Sequence, residues 1–291
     1  MGEAQKVGTM KQEVIEHEEL SYAPCRYGNS RMLFRGPRRR LDHPYIAFIG
    51  GTETYGKFIP KPFPTLVERV MRQTCVNLGC VNGGIDAFVN DPTIMEICNG
   101  ADMTVVQVMG ANFLSNRFYS VHPRRNDRFL RASTVLEAIY DDVDFSEFSF
   151  IRHMLGALYS KSPDRFDIVV GELREAWTAR MKNMLHQIGP RSMLLWFSEE
   201  ELSDKHWSER EDQLQADPLF ITRSMLEELR PLVQDIVVVN PSDGALAKGT
   251  IGMQFPASQS AAASEMLGPA CHSEASAFVI PALREHLYAV S

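Results

Sequence analysis

The chain has 291 residues, an ordinary composition and a formal net charge of −7. This length suits one large α/β domain or two smaller ones, and the negative charge argues against indiscriminate binding to nucleic acid. No apolar run approaches the length of a membrane span, and residues 1–19 lack the apolar core of a secretory signal, so we expect a cytoplasmic protein.

The cysteines and histidines give no sign of a metal or cofactor site. The five cysteines are an odd number without a CxxC pair, so they predict neither a disulfide framework nor a zinc ribbon. No spacing of histidines and carboxylates is typical of metal ligands. We therefore expect buried, reduced thiols and a protein without metal or cofactor.

Residues 1–44 are predicted to form an N-terminal extension to a domain that covers residues 45–291. Within the extension, residues 21–43 are typical of a strand or hairpin added to the main sheet, because Tyr22 and Phe34 lie between glycine and proline breaks. The arginines of this stretch, Arg35 and those at 38–40, are interpreted as a solvated face.

The first strand signal is the continuous apolar run at residues 46–49, which ends at Gly50 and Gly51. A continuous run is typical of a strand that is covered on both faces, and the glycines permit a sharp turn. A helix signal follows, so the pattern predicts that Thr52, Glu53 and Thr54 lie at the carboxyl edge of a sheet.

Four further apolar runs predict the rest of the sheet, at residues 75–79, 103–109, 193–197 and 235–239. Helix signals separate most of them, and this alternation is typical of right-handed crossovers and a parallel sheet. We expect a flavodoxin-like, three-layer α/β/α domain with strand order 2-1-3-4-5. This order places a crevice beside strand one.

An insert of mostly helical character, at about residues 113–190, separates the third and fourth strands. Its start is aromatic and basic, and we expect Arg117, Arg124, Arg125 and Arg128 to hold an anionic substrate group. A solvated loop or an internal network of ion pairs explains these arginines equally well. The clearest helix of the chain follows, between a predicted cap at Ser162 and a stop at Gly189.

The last section contains a helix from about Thr222, the fifth strand, and a long loop rich in serine and alanine at residues 242–270. A loop of this length is usually functional or mobile. His272 follows the loop and is predicted to stand just before the final helix.

Four short motifs resemble the blocks of the SGNH/GDSL hydrolase superfamily. The segment 50–56, GGTETYG, resembles GDSxTxG, and residues 77–83 resemble the second block. Gly110-Ala111-Asn112 resembles GxND, and His272 resembles the histidine of the final DxxH block. The motifs cover about half of the chain. Three positions depart from the family pattern: Thr52 replaces serine, Phe113 replaces aspartate, and Pro269 stands where the aspartate partner of the histidine is expected.

The resemblance implies a hydrolase or acyl-type transferase that acts on a polar or anionic carbohydrate or lipid ester. Thr52 would be the nucleophile and His272 its base, with Glu53 or Glu274 as a substitute for the missing aspartate. Gly51, Gly83 and Asn112 would supply the oxyanion donors. A catalytically inactive binding protein is the alternative from the same resemblance.

A different interpretation starts from the segment Gly51 to Lys57, which satisfies the phosphate-loop pattern GxxxxGK. Phe58 stands where that pattern needs serine or threonine to hold magnesium, so a metal-free sulfo- or phospho-group transferase remains. In either interpretation Glu53, Thr54 and Lys57 are expected to contact a small-molecule, carbohydrate or lipid substrate. The sequence leaves the oligomeric state open.

Overall fold

The computed structural model describes residues 20–209 and 214–288. Its seven strands form one five-stranded sheet and one two-stranded sheet. The strands are β1 (Tyr45–Ile49), β2 (Thr74–Asn77), β3 (Met103–Gln107), β4 (Tyr119–His122), β5 (Arg125–Ala132), β6 (Ser192–Phe197) and β7 (Asp235–Val239).

The helices are short except for α6, α7 and α11. They are α1 (Thr52–Tyr55), α2 (Phe63–Met71), α3 (Ile85–Val89), α4 (Pro92–Gly100), α5 (Thr134–Ile139), α6 (Ile151–Lys161), α7 (Pro163–Ile188), α8 (Arg223–Leu229), α9 (Asp243–Leu246), α10 (Ser260–Ser264) and α11 (Pro269–Tyr288). Single 3-10 turns occur at Phe145–Glu147, Trp207–Glu209, Arg230–Leu232 and Ala257–Gln259.

The five-stranded sheet is wholly parallel and has the order β2-β1-β3-β6-β7. In terms of the five sheet strands this is the predicted order 2-1-3-4-5, and the predicted three-layer α/β/α architecture is confirmed. Because β1 lies between β2 and β3, β2 is added on one side of β1 and the later strands on the other side. The carboxyl ends of these three strands therefore meet at one edge.

Two apolar cores lie on opposite faces of the sheet. Alternate residues of β1 divide between them: Ala47 and Ile49 face the core that also contains α3, α4 and α7, whereas Ile46 and Phe48 face the core that contains α2 and α11. Such two-sided burial explains why the sheet strands are continuous apolar runs. The long helix α7 begins after the Ser162 cap and ends before Gly189, as predicted.

The insert between β3 and β6 differs in part from the expectation, because it is not helical throughout. It contains the antiparallel hairpin β4–β5, which the sequence analysis did not predict. Basic and polar residues alternate only weakly with apolar ones in β5, whose buried positions are Asn126 and Phe129. The period-two signal was therefore too weak to detect.

Two further expectations need correction. The described part of the N-terminal extension forms a single antiparallel bridge, between Cys25 and Phe34, and adds no strand to the main sheet. The final helix begins at Pro269, so His272 lies inside α11 and not before it. The predicted loop at residues 242–270 therefore ends earlier than expected. Proline is favourable at the first position of a helix, which explains the start of α11 at Pro269. No helix among the described residues is long and apolar enough to cross a membrane.

Candidate functional site

A cleft opens at the carboxyl edge of β1, β3 and β6. It consists of two adjoining cavities of about 490 and 230 Å³, and Glu53, Gln107 and Asp217 line both of them. Thr52, Gly83 and Arg152 line the larger cavity. We call this feature the Glu53 cleft. Its position is the one at which open α/β folds bind their ligands.

Gln107, the last residue of β3, organises the floor of the cleft. Its side-chain oxygen accepts hydrogen bonds from the Gly51 and Thr54 N–H groups, both at 3.1 Å, and from the Thr54 hydroxyl at 2.6 Å. Its amide nitrogen donates to the Glu53 carboxyl at 2.7 Å. A side chain at Gly50 would collide with Thr54 and Gln107, so glycine is required at this close approach.

Glu53 and Asp217 form a pair of interacting carboxyl groups. Burial raises the pKa of Glu53 to about 7, and the neighbouring Asp217 charge adds to the rise. Partial desolvation in the cleft also raises the pKa of Asp217, but the Arg152 guanidinium, 3.5 Å away, opposes that effect. Because 51% of the Asp217 side chain is exposed, we assign the negative charge to Asp217 and the higher proton affinity to Glu53, whose pKa of about 7 leaves its ionised form populated at neutral pH.

Arg152 fixes the segment that carries Asp217. From α6 it donates to the carbonyl oxygens of Leu214 and Ala216, at 2.5 and 3.4 Å. The Ser198 hydroxyl donates to the Asp217 carbonyl at 2.6 Å. The carboxyl groups of Glu53 and Asp217 are therefore held in one cleft by α1, by Arg152 of α6 and by Ser198 after β6.

Thr52 stands at the start of α1 and lines the cleft, as predicted from its position after β1. Its hydroxyl accepts a hydrogen bond from the Asn82 N–H at 3.1 Å and lies 3.5 Å from the Asn82 side-chain oxygen. Asn82 in turn donates to Asp127 of the β4–β5 hairpin at 3.3 Å. The hydroxyl is thus held by the loop that follows β2.

Two of the predicted oxyanion donors, Gly51 and Gly83, line the cleft, whereas Asn112 is not among its lining residues. The Gly51 N–H donates to Gln107, and the Gly83 N–H donates to the Cys80 carbonyl at 3.0 Å. Both amides therefore already have acceptors. The Asn112 side chain is fully buried, and neither its nitrogen nor its oxygen has a hydrogen-bond partner.

His272 lies in the core on the α2 side of the sheet. Its ring stacks on Phe63, and the edge-to-face contact with Phe197 is 5.4 Å between centroids. Nδ1 accepts the Phe63 N–H at 3.2 Å, so the neutral ring carries its proton on Nε2. Burial lowers the pKa of His272 to about 3. Among the described residues no hydrogen bond joins His272 to Thr52.

Glu274 and Lys57 both contact groups outside the cleft. The Glu274 carboxyl accepts hydrogen bonds from the Ser242 N–H and hydroxyl. Lys57 Nζ lies 4.7 Å from the centre of the Phe58 ring and does not line the cleft. The segment before it is a helical turn whose Tyr55 and Gly56 N–H groups donate to Gly51 and Thr52 carbonyls, so these amides do not surround an open anion site.

The four arginines of the predicted anion clamp lie elsewhere. Arg117 pairs with Glu172 at 2.9 Å. Arg124, Arg125 and Arg128 line a separate cavity, and the Arg128 guanidinium lies 4.0 Å from the centre of the Phe150 ring. The structure brings none of them to the lining of the Glu53 cleft.

Sequence reasoning missed three residues of the cleft. Gln107 interrupts an otherwise apolar run, and a polar residue at the end of a buried strand was a usable signal. Arg152 and Asp217 lie in α6 and in the segment after β6, and only tertiary packing brings them together. No group of three or more potential metal ligands occurs within the described residues.

Comparisons with known proteins give one family and a distant structural likeness. No curated protein matches the chain. A lipase, Lip_vut3 from a goat rumen metagenome, is similar in structure with a TM-score of 0.40 and 12% sequence identity, over 81% of this chain and 98% of that chain. Residues 10–287 match the family described as a domain of unknown function, DUF6473. Since the match spans nearly the whole sequence, the chain belongs to the DUF6473 family.

Proposed function

We propose that the Glu53 cleft catalyses the hydrolysis of a polar, hydroxyl-rich ester, of the kind that a carbohydrate or lipid headgroup carries. The observation that carries this proposal is the Glu53 carboxyl, whose pKa of about 7 lies where a general base works best at neutral pH. It faces a cavity large enough for a small substrate.

In this mechanism Glu53 takes a proton from a water molecule while the water oxygen attacks the ester carbonyl carbon. The bond to the leaving alcohol then breaks, and Glu53 returns the proton to the alcohol oxygen. Asp217 keeps the proton affinity of Glu53 high, and Gln107 fixes the direction of its carboxyl group. Asp217 and Gln107 therefore act through Glu53 and are positioning residues, and Arg152 supports them by holding the segment that carries Asp217.

The charges that line the cleft favour a neutral substrate over an anionic one. Among the described residues, the larger cavity is lined by three acidic residues, Glu53, Asp217 and Glu265, and by one basic residue, Arg152. An anionic group would meet more negative than positive charge there. Hydroxyl groups, in contrast, can donate to the carboxylates and accept from Gln107 or Arg152.

A second candidate is the covalent route that the SGNH resemblance implies, with Thr52 as nucleophile and His272 as base. This route is supported by the position of Thr52, which lines the same cleft as the first residue of α1. It requires His272 to release the Phe63 N–H, because the proton now sits on Nε2. The first route needs no such rearrangement.

Hydrolysis of p-nitrophenyl esters and acetylated sugars by two variants tests both routes. Glu53→Gln should lower kcat at least about a hundredfold, since loss of a general base typically costs that much. Thr52→Ala should retain activity within about tenfold if water attacks directly, whereas the covalent route predicts its loss.

The matched control is Glu137→Gln, which removes the same charge from an exposed position of α5 and should leave kcat unchanged. Full activity of Glu53→Gln on every hydrolysed ester would refute the role of Glu53.

A further inference from the structure

A second cavity lies between the N-terminal segment and the β4–β5 hairpin. It has a volume of about 610 Å³ and shares no lining residue with the Glu53 cleft within the part of the chain that is described. Five arginines line it: Arg26, Arg31, Arg124, Arg125 and Arg128. We call it the arginine cavity.

The positive charges of this cavity have no acidic partners in the described chain. The arginines that pair with carboxylates of described residues lie outside this cavity: Arg39, Arg40, Arg117, Arg152, Arg165, Arg180 and Arg230. Asp127, the acidic residue next to Arg128, accepts a hydrogen bond from Asn82 and does not line the cavity. In a protein of net charge −7, five clustered cations without carboxylates are an excess that a bound anion would neutralise.

Neutral donors in the wall add to the guanidinium groups. His122 Nδ1 accepts the N–H groups of Arg124 and Arg125, both at 3.2 Å, so its neutral ring carries an N–H donor at Nε2. Ser149 is also among the lining residues. The cavity therefore offers donors from the N-terminal segment, the turn of the hairpin and β5.

Apolar side chains complete the wall. Met32, Phe129 and Phe148 line the cavity beside the arginines. A ring or hydrocarbon group of a ligand could pack against them while its charged groups contact the guanidinium donors. This combination fits a small organic anion better than a free inorganic ion.

We propose that the arginine cavity binds a small organic molecule that carries a diphosphate group, separately from the Glu53 cleft. Phosphate suits the arrangement because its tetrahedral oxygens accept hydrogen bonds from several directions, and the arginines come from separate segments on different sides. A single carboxylate offers its acceptor sites close to one plane and would leave several guanidinium groups unpaired. The concave shape and the volume limit the ligand to the size of a small molecule.

Calorimetric titration of the full chain with inorganic pyrophosphate and with adenosine diphosphate tests the proposal. The wild-type protein should bind both probes at one site, and the adenosine compound more tightly because its organic part packs on the apolar wall. Arg124→Gln/Arg128→Gln should weaken binding at least about tenfold, since two charge-assisted contacts are lost. Arg26→Gln/Arg31→Gln, from the other wall, should do the same.

The matched control is Arg40→Gln/Arg230→Gln, which changes the net charge equally at ion-paired positions outside the cavity. It should bind the probes within about twofold of the wild-type affinity. Equal weakening in the control and the cavity variants would overturn the proposal, as would saturable binding that survives in both cavity variants or the absence of saturable binding by the wild-type chain. Binding only to vesicles that contain phosphatidylserine would assign the cavity to a lipid surface and also overturn it.

Discussion

Gln107 donates a hydrogen bond to the Glu53 carboxyl at 2.7 Å, and it can do so with only one orientation of its amide group. Its oxygen is occupied by the N–H groups of Gly51 and Thr54 and by the Thr54 hydroxyl. Backbone N–H groups can only donate, so the amide nitrogen must face Glu53. The turn after β1 thus sets the direction of the residue that we assign as the base.

The stability of the protein should fall as the pH rises through the titration range of Glu53. Its pKa rises from an ordinary 4.5 to about 7 on folding, so the folded state favours the protonated form. Glu53→Gln, which cannot ionise, should gain up to about 3 kcal/mol relative to wild type between pH 4.5 and pH 8, because one unit of pKa shift is worth about 1.4 kcal/mol. Urea unfolding at both pH values measures this gain. The control Glu137→Gln should show no such pH dependence, and an equal difference at both pH values for Glu53→Gln would contradict the assignment.

Asp217→Asn should lower the pKa of Glu53, because it removes the negative charge that adds to the effect of burial. Carbon-13 NMR titration of the glutamate carboxyl carbons measures the pKa without a substrate. Glu265→Gln, which removes the charge of another cleft residue that does not contribute to the shift of the Glu53 pKa, is the comparison and should have a smaller effect. An unchanged or higher Glu53 pKa in Asp217→Asn would show that the two carboxyl groups do not interact.

Two substitutions at His272 separate its packing from its hydrogen bond. His272→Asn introduces a smaller side chain that keeps an acceptor near the Nδ1 position for the Phe63 N–H, whereas His272→Leu fills the space without an acceptor. We expect His272→Leu to cost about 2 kcal/mol or more, since a buried N–H is left unpaired. Thermal unfolding of the two variants measures the difference, and a more stable leucine variant would contradict a structural role for the hydrogen bond.

The pH dependence of the His272 contribution should run opposite to that of Glu53. The pKa of His272 falls from 6.5 to about 3 on folding, so its contribution to stability is complete above pH 6.5 and decreases as the pH falls toward 3. His272→Asn should remove this acid-side dependence. Urea unfolding between pH 4 and pH 7 compares the variant with wild type, and identical slopes would indicate that the ring is accessible to protons in the folded state.

Asn112→Leu should leave the stability unchanged or raise it by about 1 kcal/mol. The buried amide has no hydrogen-bond partner, and a leucine of similar size removes that unsatisfied polarity. Chemical denaturation measures the effect, with Asn126→Leu as the contrast, because Asn126 accepts the Gly84 N–H at 2.8 Å and should be costly to replace. Marked destabilisation of Asn112→Leu would mean that its amide binds a group inside the protein.

The strand order was predictable because each sheet strand is an apolar run of its own. The runs at β1, β3 and β6 are wholly buried and stop at glycine, glutamine or serine, which localises both the strand and the edge where it stops. Local sequence is sufficient for this because burial on two faces leaves little choice of residue type. The hairpin β4–β5 carries no such run and was missed.

Of the residues that line the cleft, only those that directly follow the sheet strands were predictable from the sequence. Thr52, Glu53 and Gly83 follow neighbouring strands, and topology alone brings them together. Arg152 and Asp217 depend on how α6 packs against the segment after β6, which no local pattern encodes. His272, in contrast, matched a motif in the sequence but lies in a core against Phe63 and not in the cleft.

Arg35 gives the segment before β1 a part in holding the turn after α1. Its guanidinium group is buried, which corrects the expectation of a solvated face, and it donates to the carbonyl oxygens of Tyr55, Gly56 and Pro60, at 3.3, 2.5 and 3.1 Å. A shortened protein that began at residue 45 would leave these carbonyls without their donor, immediately behind the helix that carries Glu53. The smallest unit that can be transplanted into a chimaera or permuted therefore begins upstream of Arg35, not at the first strand of the sheet.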